Sequence, residues 1–542
     1  MALDIRVLSS LTKLFASEQP PACQPLAEGF GNEVISYQLA IRRGKGEGSC
    51  LLTVKAEGDF AAYVQVRRVR QVPVHLPVYD GADDDYLCKQ PGLYPDLLER
   101  PSGGLVRAYD SRWECLWVTF DARSELPAGD YPVTIRLYAD GGEVAGEHTQ
   151  TVRILPGLLP AQRLQHTRWF HADCLADYYH VPAWSEEHWR IVENFVRCAV
   201  EGGINMILMP VHTPPLDTRA GGERTTVQLV GITVENGVYS FDMSLVRRWI
   251  AMCRRCGVEY YEIAHLFTQW GAKHAPKMMA TADGEYRQIF GWDTDAAGQE
   301  YGAFLKAYVP AIRQVLREEG VEDRAWWHIS DEPSEDHLPA YLAAKNQVKD
   351  LLEGAKIMDA LSNYEFYAKG VVAHPVAASN HIQPFLENHV PGLWMYYCCS
   401  QYKDVSNLFI AMPSARCRVL GAQLYRYRLE GFLQWGFNFY NAQYSDYPID
   451  PYASTDADGA FPAGDPFLVY PGRDGKPELS IRYMTTREAM QDLRALEMLE
   501  SLIGRERTDA LLEGMTLTEY PRQAQALLAL RRRINALIVE NS

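Results

Sequence analysis

The sequence predicts a multidomain protein: an N-terminal β-sandwich over residues 1–158, a central (β/α)8 barrel of TIM type over 159–447, and a small C-terminal region over 448–542 with a β-hairpin and helices that pack on the barrel. Three observations predict it. Short alternating runs separated by Gly, Pro and Asp clusters fill the first 158 residues. From about Thr167, strand-like runs alternate with helical ones, the mark of parallel βα units. No Gly-rich dinucleotide fingerprint follows any of those strands, which favours a barrel over a doubly wound sheet.

The sandwich strands are legible in "SCLLTVKAEG", "AAYVQVRRVRQVPVHL", "ECLWVTFDA" and "YPVTIRLYADG", with turns at "DGADDD", "PSGG" and "LPAGD". "ILPGLLPAQRL" (154–164) marks the exit from that domain. Seven barrel strands follow, in "TRWFHAD", "INMILMPVH", "VEYYEIAHLF", "AWWHISDE", "KIMDALSN", "LWMYYCCS" and "GFLQWGFNFYN", with an eighth candidate around "GVVAHPVAAS". Between them, "SEEHWRIVENFVRCAVEGG" and "QEYGAFLKAYVPAIRQVLREEG" read as helices. The second is apolar at Phe304, Leu305, Tyr308, Ile312 and Leu316, near a 3.6 period, and both end near Gly. The C-terminal region opens with a Gly/Pro/Asp-rich loop. "LVYPGRDGKPELSIR" then suggests a hairpin, and two helical runs close the chain.

Composition narrows the function classes. A chain of 542 residues, 47% hydrophobic and 23% charged, affords a large core. A net charge of -16 repels phosphate backbones and anionic lipid heads, so neither nucleic acid nor a membrane is an expected partner. No secretory signal is legible in "MALDIRVLSSLTKLFASEQPP", and no window reaches the ~18 apolar residues of a membrane span. Eleven scattered cysteines fit reduced thiols, so a cytoplasmic location is expected. Cys253 and Cys256 form the one CxxC, with no partner pair at zinc spacing; no metal and no cofactor is expected.

In such a barrel the reactive groups project from the strand C-termini. Those ends offer His171 and Asp173; His212; Glu262, His265 and Trp270; Asp331 and Glu332; Asn363, Tyr364 and Glu365; Tyr396 and Tyr397; and Trp435, Asn438, Tyr440 and Asn441. Aromatic faces, carboxylates and amides suit a sugar, so the expected partner is an oligosaccharide or glycoside. Several have a structural reading too: the two tyrosines as barrel packing, Trp435 as interior filler, His171 as a satisfied histidine.

Asp331–Glu332, in "WWHISDEPSEDHL", resists the structural reading. Adjacent like charges raise each other's pKa and cost stability. Glu335 and Asp336 complement a helix start, but Pro333 separates them from the first pair. Ordinary glycosidases flank the scissile bond with two carboxylates about 5–9 Å apart, which strand neighbours pointing to opposite faces do not provide. Adjacent acids suffice if the substrate carries a 2-acetamido group whose own oxygen attacks the anomeric carbon to form an oxazoline. One acid then protonates the leaving oxygen and the other holds the amide N–H.

The chain resembles the family 123 glycoside hydrolases and the wider group carrying the C-terminal domain of unknown function 4091. The resemblance rests on "SRWECLWVTFDARSELPAGDYPVTIRL", "WWHISDEP", "GFLQWGFNFYN", "GDPFLVYPG" and "SIRYMTTREAMQDLRALEML" in that order. It implies a retaining β-N-acetylgalactosaminidase acting by substrate assistance without a metal. Glu332 would be the general acid/base and Asp331 would orient the acetamido group. Tyr396 or Tyr397, with Trp435, would wall the acetamido pocket, and Asn438 and His171 are candidates for hydroxyl contacts. The alternatives are a glycosidase acting on a sugar without the acetamido group, with Glu262 or Glu365 as nucleophile, and a non-catalytic carbohydrate-binding protein.

Overall fold

The computed structural model describes the chain apart from Met1, Ala2, Cys23, Trp270, Ser334 and the side chain of Glu335. Two sheets form the N-terminal part. One holds seven strands, in the order Leu3–Ser9, Val34–Arg43, Glu114–Asp121, Val64–Val74, Gly92–Glu99, Pro477–Ser480 and Tyr470–Pro471. The other holds five: Glu28–Phe30, Val144–Leu155, Gly129–Ala139, Cys50–Glu57 and Leu105–Ala108. Alternation sets their contact. Ile35, Tyr37, Leu39 and Ile41 meet Val133, Ile135 and Leu137 of the second sheet in one apolar core. Val34 and Ala40, on the opposite face of the same strand, belong to the larger core that includes the barrel.

The C-terminal hairpin thus continues the N-terminal sheet, through Leu479 opposite Leu98. The helix that follows, Ile481–Ile503, lies between the two halves. Its Arg482 forms a fully buried ion pair with Asp96 (2.9 Å), while the Tyr483 hydroxyl donates to Cys198 O (2.7 Å) on a barrel helix. A buried Arg–carboxylate pair fixes register more than it adds stability.

The central sheet is a closed barrel of eight parallel strands in chain order: Gln165–Arg168, Met206–Met209, Tyr260–Ile263, Ala325–Trp327, Lys356–Leu361, His374–Ala378, Trp394–Tyr396 and Gly431–Gln434. The sixth is the candidate read around "GVVAHPVAAS". Met206, Leu208, Met358, Ala360, Val376 and Leu433 point inward. Ile207, Tyr261, Ile263, Trp327 and Phe432 point outward to the larger core. Burial on both faces explains why these strands read as continuous apolar runs. Trp326 and Trp394 (ring centroids 5.1 Å apart) fill the interior, and the Trp326 indole donates to Gln165 Oε1 (2.7 Å). Gly431 is required there, because a Cβ would lie 2.0 Å from the Trp394 ring.

The two expected helices span Glu186–Glu201 and Gln299–Glu318; Ser185 caps the first by accepting from His188 N (3.3 Å). After the fifth and sixth strands only the short helices Tyr364–Ala368 and Gln383–Glu387 form. A further sheet, Val238–Asp242, Gly231–Glu235, Met278–Ala282 and Glu285–Phe290, is built from the connections after the second and third strands. Among the described residues no helix is long and apolar enough to cross a membrane.

Candidate active site

The fourth strand ends at Trp327, but the chain beyond it keeps pairing with the segment after the third. Leu266 N donates to His328 O (3.3 Å), Phe267 N to Ile329 O (3.1 Å), and Ser330 Oγ to Thr268 O (2.8 Å). Glu332 then takes a φ of 43°. That left-handed conformation costs a residue with a Cβ ~1–3 kcal/mol and persists where the surroundings enforce it. Extended neighbours would point to opposite faces; with this turn, Asp331 and Glu332 share the wall of one cavity.

The cavity, of about 180 Å³, opens at the C-terminal end of the barrel. Tyr396, at the end of the seventh strand, donates its hydroxyl to Glu332 Oε1 (2.6 Å) and lies 3.3 Å from the Ser362 hydroxyl. Glu332 is exposed to the cavity and Asp331 half-buried, yet protein crowds both closely enough that lost hydration dominates their ionisation. Burial raises Glu332, with the Tyr396 hydrogen bond opposing. Burial raises Asp331 well above the usual carboxylate range; the Glu332 charge adds to this and His328 opposes it. The two acids titrate as a pair that retains one proton more readily than two separate acids would.

Beneath the pair lies a buried ionic cluster. His328 Nε2 is 2.6 Å from Glu262 Oε1, and its Nδ1 is 3.4 Å from Asp359 Oδ1. Burial alone would lower the His328 pKa, but Asp359 and Glu262 override it and hold the imidazole up at about 9. Glu262 also accepts from Thr167 Oγ1 (2.5 Å) and Trp169 Nε1 (2.7 Å), and it is 0% exposed. His265 stacks on His328 at 4.1 Å, and burial keeps it far below the usual imidazole range.

The cavity wall brings together Asp331, Glu332, Tyr396, Tyr397 and Trp435. The two tyrosines differ. Tyr397 is 0% exposed, with its ring edge-on to Phe432 and its hydroxyl at 3.5 Å from Arg168, so Tyr396 is the one that presents a hydroxyl to the acids. The Trp435 indole N–H is held by Asp465 (2.8 Å), whose carboxyl burial pushes up to about 7.

His171 and Asn438 stay off the wall, which corrects their expected place among the hydroxyl contacts. The Asn438 amide brackets the His171 backbone, accepting from its N and donating to its O (both 2.9 Å). The His171 ring sits between the Trp435 carbonyl (3.0 Å) and Arg224 (3.0 Å), with its pKa lowered to about 4 by burial and then by that arginine. The His171 ring thus supports the Trp435 backbone, and Asn438 holds His171 in place. Asp173 is paired to Arg224 (2.7 Å), His212 to the His265 carbonyl (2.8 Å), and the Tyr440 hydroxyl to Val469 O (2.8 Å). Asn363 caps the short helix carrying Glu365, whose carboxylate is exposed beside Lys369 (3.6 Å). Trp270, expected near the third strand's end, lies outside the described residues.

Sequence reasoning missed Asp217 and Gln269, which line the cavity from the connections after the second and third strands. Asp217 directly follows no strand-like run, whereas Gln269 lies two residues past "VEYYEIAHLF", beside Trp270, with nothing in its residue type to single it out. Asp331, Glu332 and Asp217 are the carboxylates on the wall, and no cluster arranged to hold a metal ion occurs among the described residues.

The family model described as "Glycoside hydrolase 123, catalytic domain" matches residues 169–499. The chain belongs to glycoside hydrolase family 123. As a member of that family it is a glycosidase with a carbohydrate substrate, and the matched span covers every residue lining the cavity. Among solved structures, a family 123 glycoside hydrolase from Clostridium perfringens, described for glycolipid glycan hydrolysis, matches with a TM-score of 0.72 at 13% identity, over 99% of this chain and 98% of that one. At that identity the likeness shows a shared fold. A β-glucuronidase from Parabacteroides merdae (9% identity, TM-score 0.31, 84% of this chain and 49% of that one) and a GH10 xylanase from Thermobacillus composti (12%, 0.31, 60% and 97%) are too dissimilar to carry an argument. No curated protein matches the sequence.

Proposed function

We propose that this family 123 hydrolase is a retaining enzyme that removes terminal β-linked N-acetylhexosamine, N-acetylgalactosamine foremost, with the substrate's acetamido oxygen as nucleophile. We read the closed parallel sheet as a (β/α)8 barrel whose helices after strands five and six have shrunk to short turns. Glycolipid glycans, on which the Clostridium perfringens relative acts, are the substrate class to test first.

The supporting observation is that the two adjacent acids share one wall while neither expected nucleophile is available. Glu262 is consumed by three hydrogen bonds in the barrel core, and Glu365 sits on an exposed helix. In the first step the acetamido C=O oxygen attacks C1, the C1–O glycosidic bond breaks, and Glu332 passes its proton to the departing oxygen. Asp331 accepts the amide N–H and balances the charge of the oxazolinium. In the second step Glu332 takes a proton from water, whose oxygen attacks C1 and reopens the ring. Two displacements restore the β configuration.

In the free protein, burial raises both acids, the Glu332 charge raises Asp331 further, and Tyr396 donates to Glu332. A bound amide N–H stabilises Asp331 as the carboxylate and so favours the proton on Glu332, where the leaving group needs it. Binding of the acetamido sugar thereby arms the acid.

A second reading is favoured by one observation, the presence of Asp217 on the same wall: direct displacement on a sugar without the acetamido group. Burial raises Asp217 to about 6, a poor setting for a nucleophile. Aryl β-glycosides with and without the 2-acetamido group separate the two readings. The proposal expects hydrolysis confined to the acetamido sugars and inhibition by an oxazoline-mimicking thiazoline. Equal turnover of the plain glycosides, with a 2-fluoro sugar trapped on Asp217, would establish the second.

A further inference from the structure

Gln269 and Asp217 make a paired donor and acceptor that the mechanism leaves unused. Gln269 is 7% exposed and lines the cavity. Its Oε1 accepts the Asp217 backbone N–H (2.7 Å), which fixes the amide's orientation and turns its Nε2 away from that contact. That Nε2 is buried without a hydrogen-bond partner. Such a donor is costly to leave unpaired and calls for an explanation. Asp217 spends only Oδ2, on the Tyr444 N–H (3.0 Å); its Oδ1 makes no hydrogen bond among the described residues.

The surrounding loops are built to hold this pair still. The Asp217 carbonyl accepts the Ser445 hydroxyl (2.7 Å), and Arg219 N donates to Tyr444 O (3.0 Å). Asp217, Tyr444 and Ser445 all carry positive φ (39°, 60° and 55°), conformations that persist when neighbouring contacts over-determine them. Connections after the second, third and eighth strands therefore meet at one carboxylate–amide pair facing the cavity.

Resting on the acetamido reading above, we infer that Asp217 and Gln269 clamp the O3–O4 hydroxyl pair of the bound hexosamine and so read the configuration at C4. With the C1 oxygen met by Glu332 and the C2 amide by Asp331, O3 and O4 are the one vicinal hydroxyl pair left on the ring. One hydroxyl donates to Asp217 Oδ1 while its neighbour accepts from Gln269 Nε2. Inverting C4 swings O4 out of the plane of O3, so a rigid pair satisfies both hydroxyls in one epimer only.

The test uses the full chain as wild type, Asp217→Asn and Gln269→Glu, with an aryl β-N-acetylgalactosaminide, its 3-deoxy and 4-deoxy forms and its C4 epimer. The first substitution keeps an oxygen for the Tyr444 N–H and leaves the backbone contacts intact; the second keeps the acceptor while removing the donor. In the wild type, loss of either hydroxyl should lower kcat/KM roughly 10- to 100-fold, the effect of one hydrogen bond to a charged or buried partner. Each variant should lose a similar factor on the parent sugar, lose little more on the deoxy sugar, and discriminate the epimers less. A residue that merely ties loops together predicts variants within about twofold of wild type; that result, or wild-type indifference to both deoxygenations, overturns the inference and leaves the functional reading standing. Complete loss of turnover in Asp217→Asn, with a covalent adduct on wild-type Asp217, overturns it in favour of a nucleophile. Failure of the wild type to hydrolyse any acetamido sugar defeats the functional reading and this clamp together. If Asp217→Asn does not fold, Gln269→Glu decides.

Discussion

His328 offers a prediction whose size follows from the geometry. Its ring lies between the carboxylates of Glu262 and Asp359, fully enclosed, and its pKa stands at about 9 against 6.5 for an unhindered imidazole. Because the folded value is the higher one, protonated His328 stabilises the fold fully below pH 6.5. That contribution fades as pH rises toward 9 and is gone above it. The interval corresponds to about 3 kcal/mol, and full burial means solvent screening does not discount it. Urea unfolding of wild type and His328→Gln between pH 6 and 10, followed by tryptophan fluorescence, isolates this contribution. The variant should be ~3–5 kcal/mol less stable at pH 6, since two buried carboxylates lose their cation. The gap should narrow by about 3 kcal/mol by pH 10 as wild-type His328 deprotonates. Parallel stability curves for the two proteins would refute a charged imidazole beneath the acids.

Further outcomes concern the site directly. Glu332→Gln should lower kcat on poor leaving groups by roughly 10²- to 10⁴-fold, with much activity kept on dinitrophenyl glycosides that need no proton, measured by steady-state release of the phenol. Asp331→Asn should slow every acetamido substrate whatever its leaving group, and a normal rate on either class would remove its role as amide anchor. Tyr396→Phe deletes the hydroxyl that opposes burial at Glu332. The pair should then hold its proton to higher pH, moving the alkaline limb of the kcat/KM profile upward, whereas an unmoved limb would make Tyr396 a wall residue only.

The proposed catalytic pair and its aromatic neighbours on the cavity wall could be picked out because they adjoin apolar strands. Asp331, Glu332, Tyr396 and Trp435 follow such runs directly, and strand ends in a barrel converge. The same rule misplaced His171 and Asn438. A strand end fixes where a residue sits, not which way it turns: Asn438 spends its amide on the His171 backbone, and the His171 ring goes to the Trp435 carbonyl and Arg224. The Asp217–Gln269 contact was illegible because a meeting of two connections distant in sequence leaves no periodic trace. The loop sheet did leave one: Asn236–Gly237, both with positive φ, is the two-residue hairpin turn inside "GITVENGVYSFD". Continuation of the N-terminal sheet by Pro477–Ser480 could not be read, since it pairs residues nearly 400 positions apart.

Fluorination of the substrate's acetamido methyl probes the attacking atom itself, because it weakens the carbonyl oxygen as a nucleophile while leaving the leaving group unchanged. If that oxygen attacks C1, kcat/KM should fall steeply and progressively from the acetamido to the mono-, di- and trifluoroacetamido glycosides. A flat series would mean that a protein carboxylate or a water molecule makes the bond.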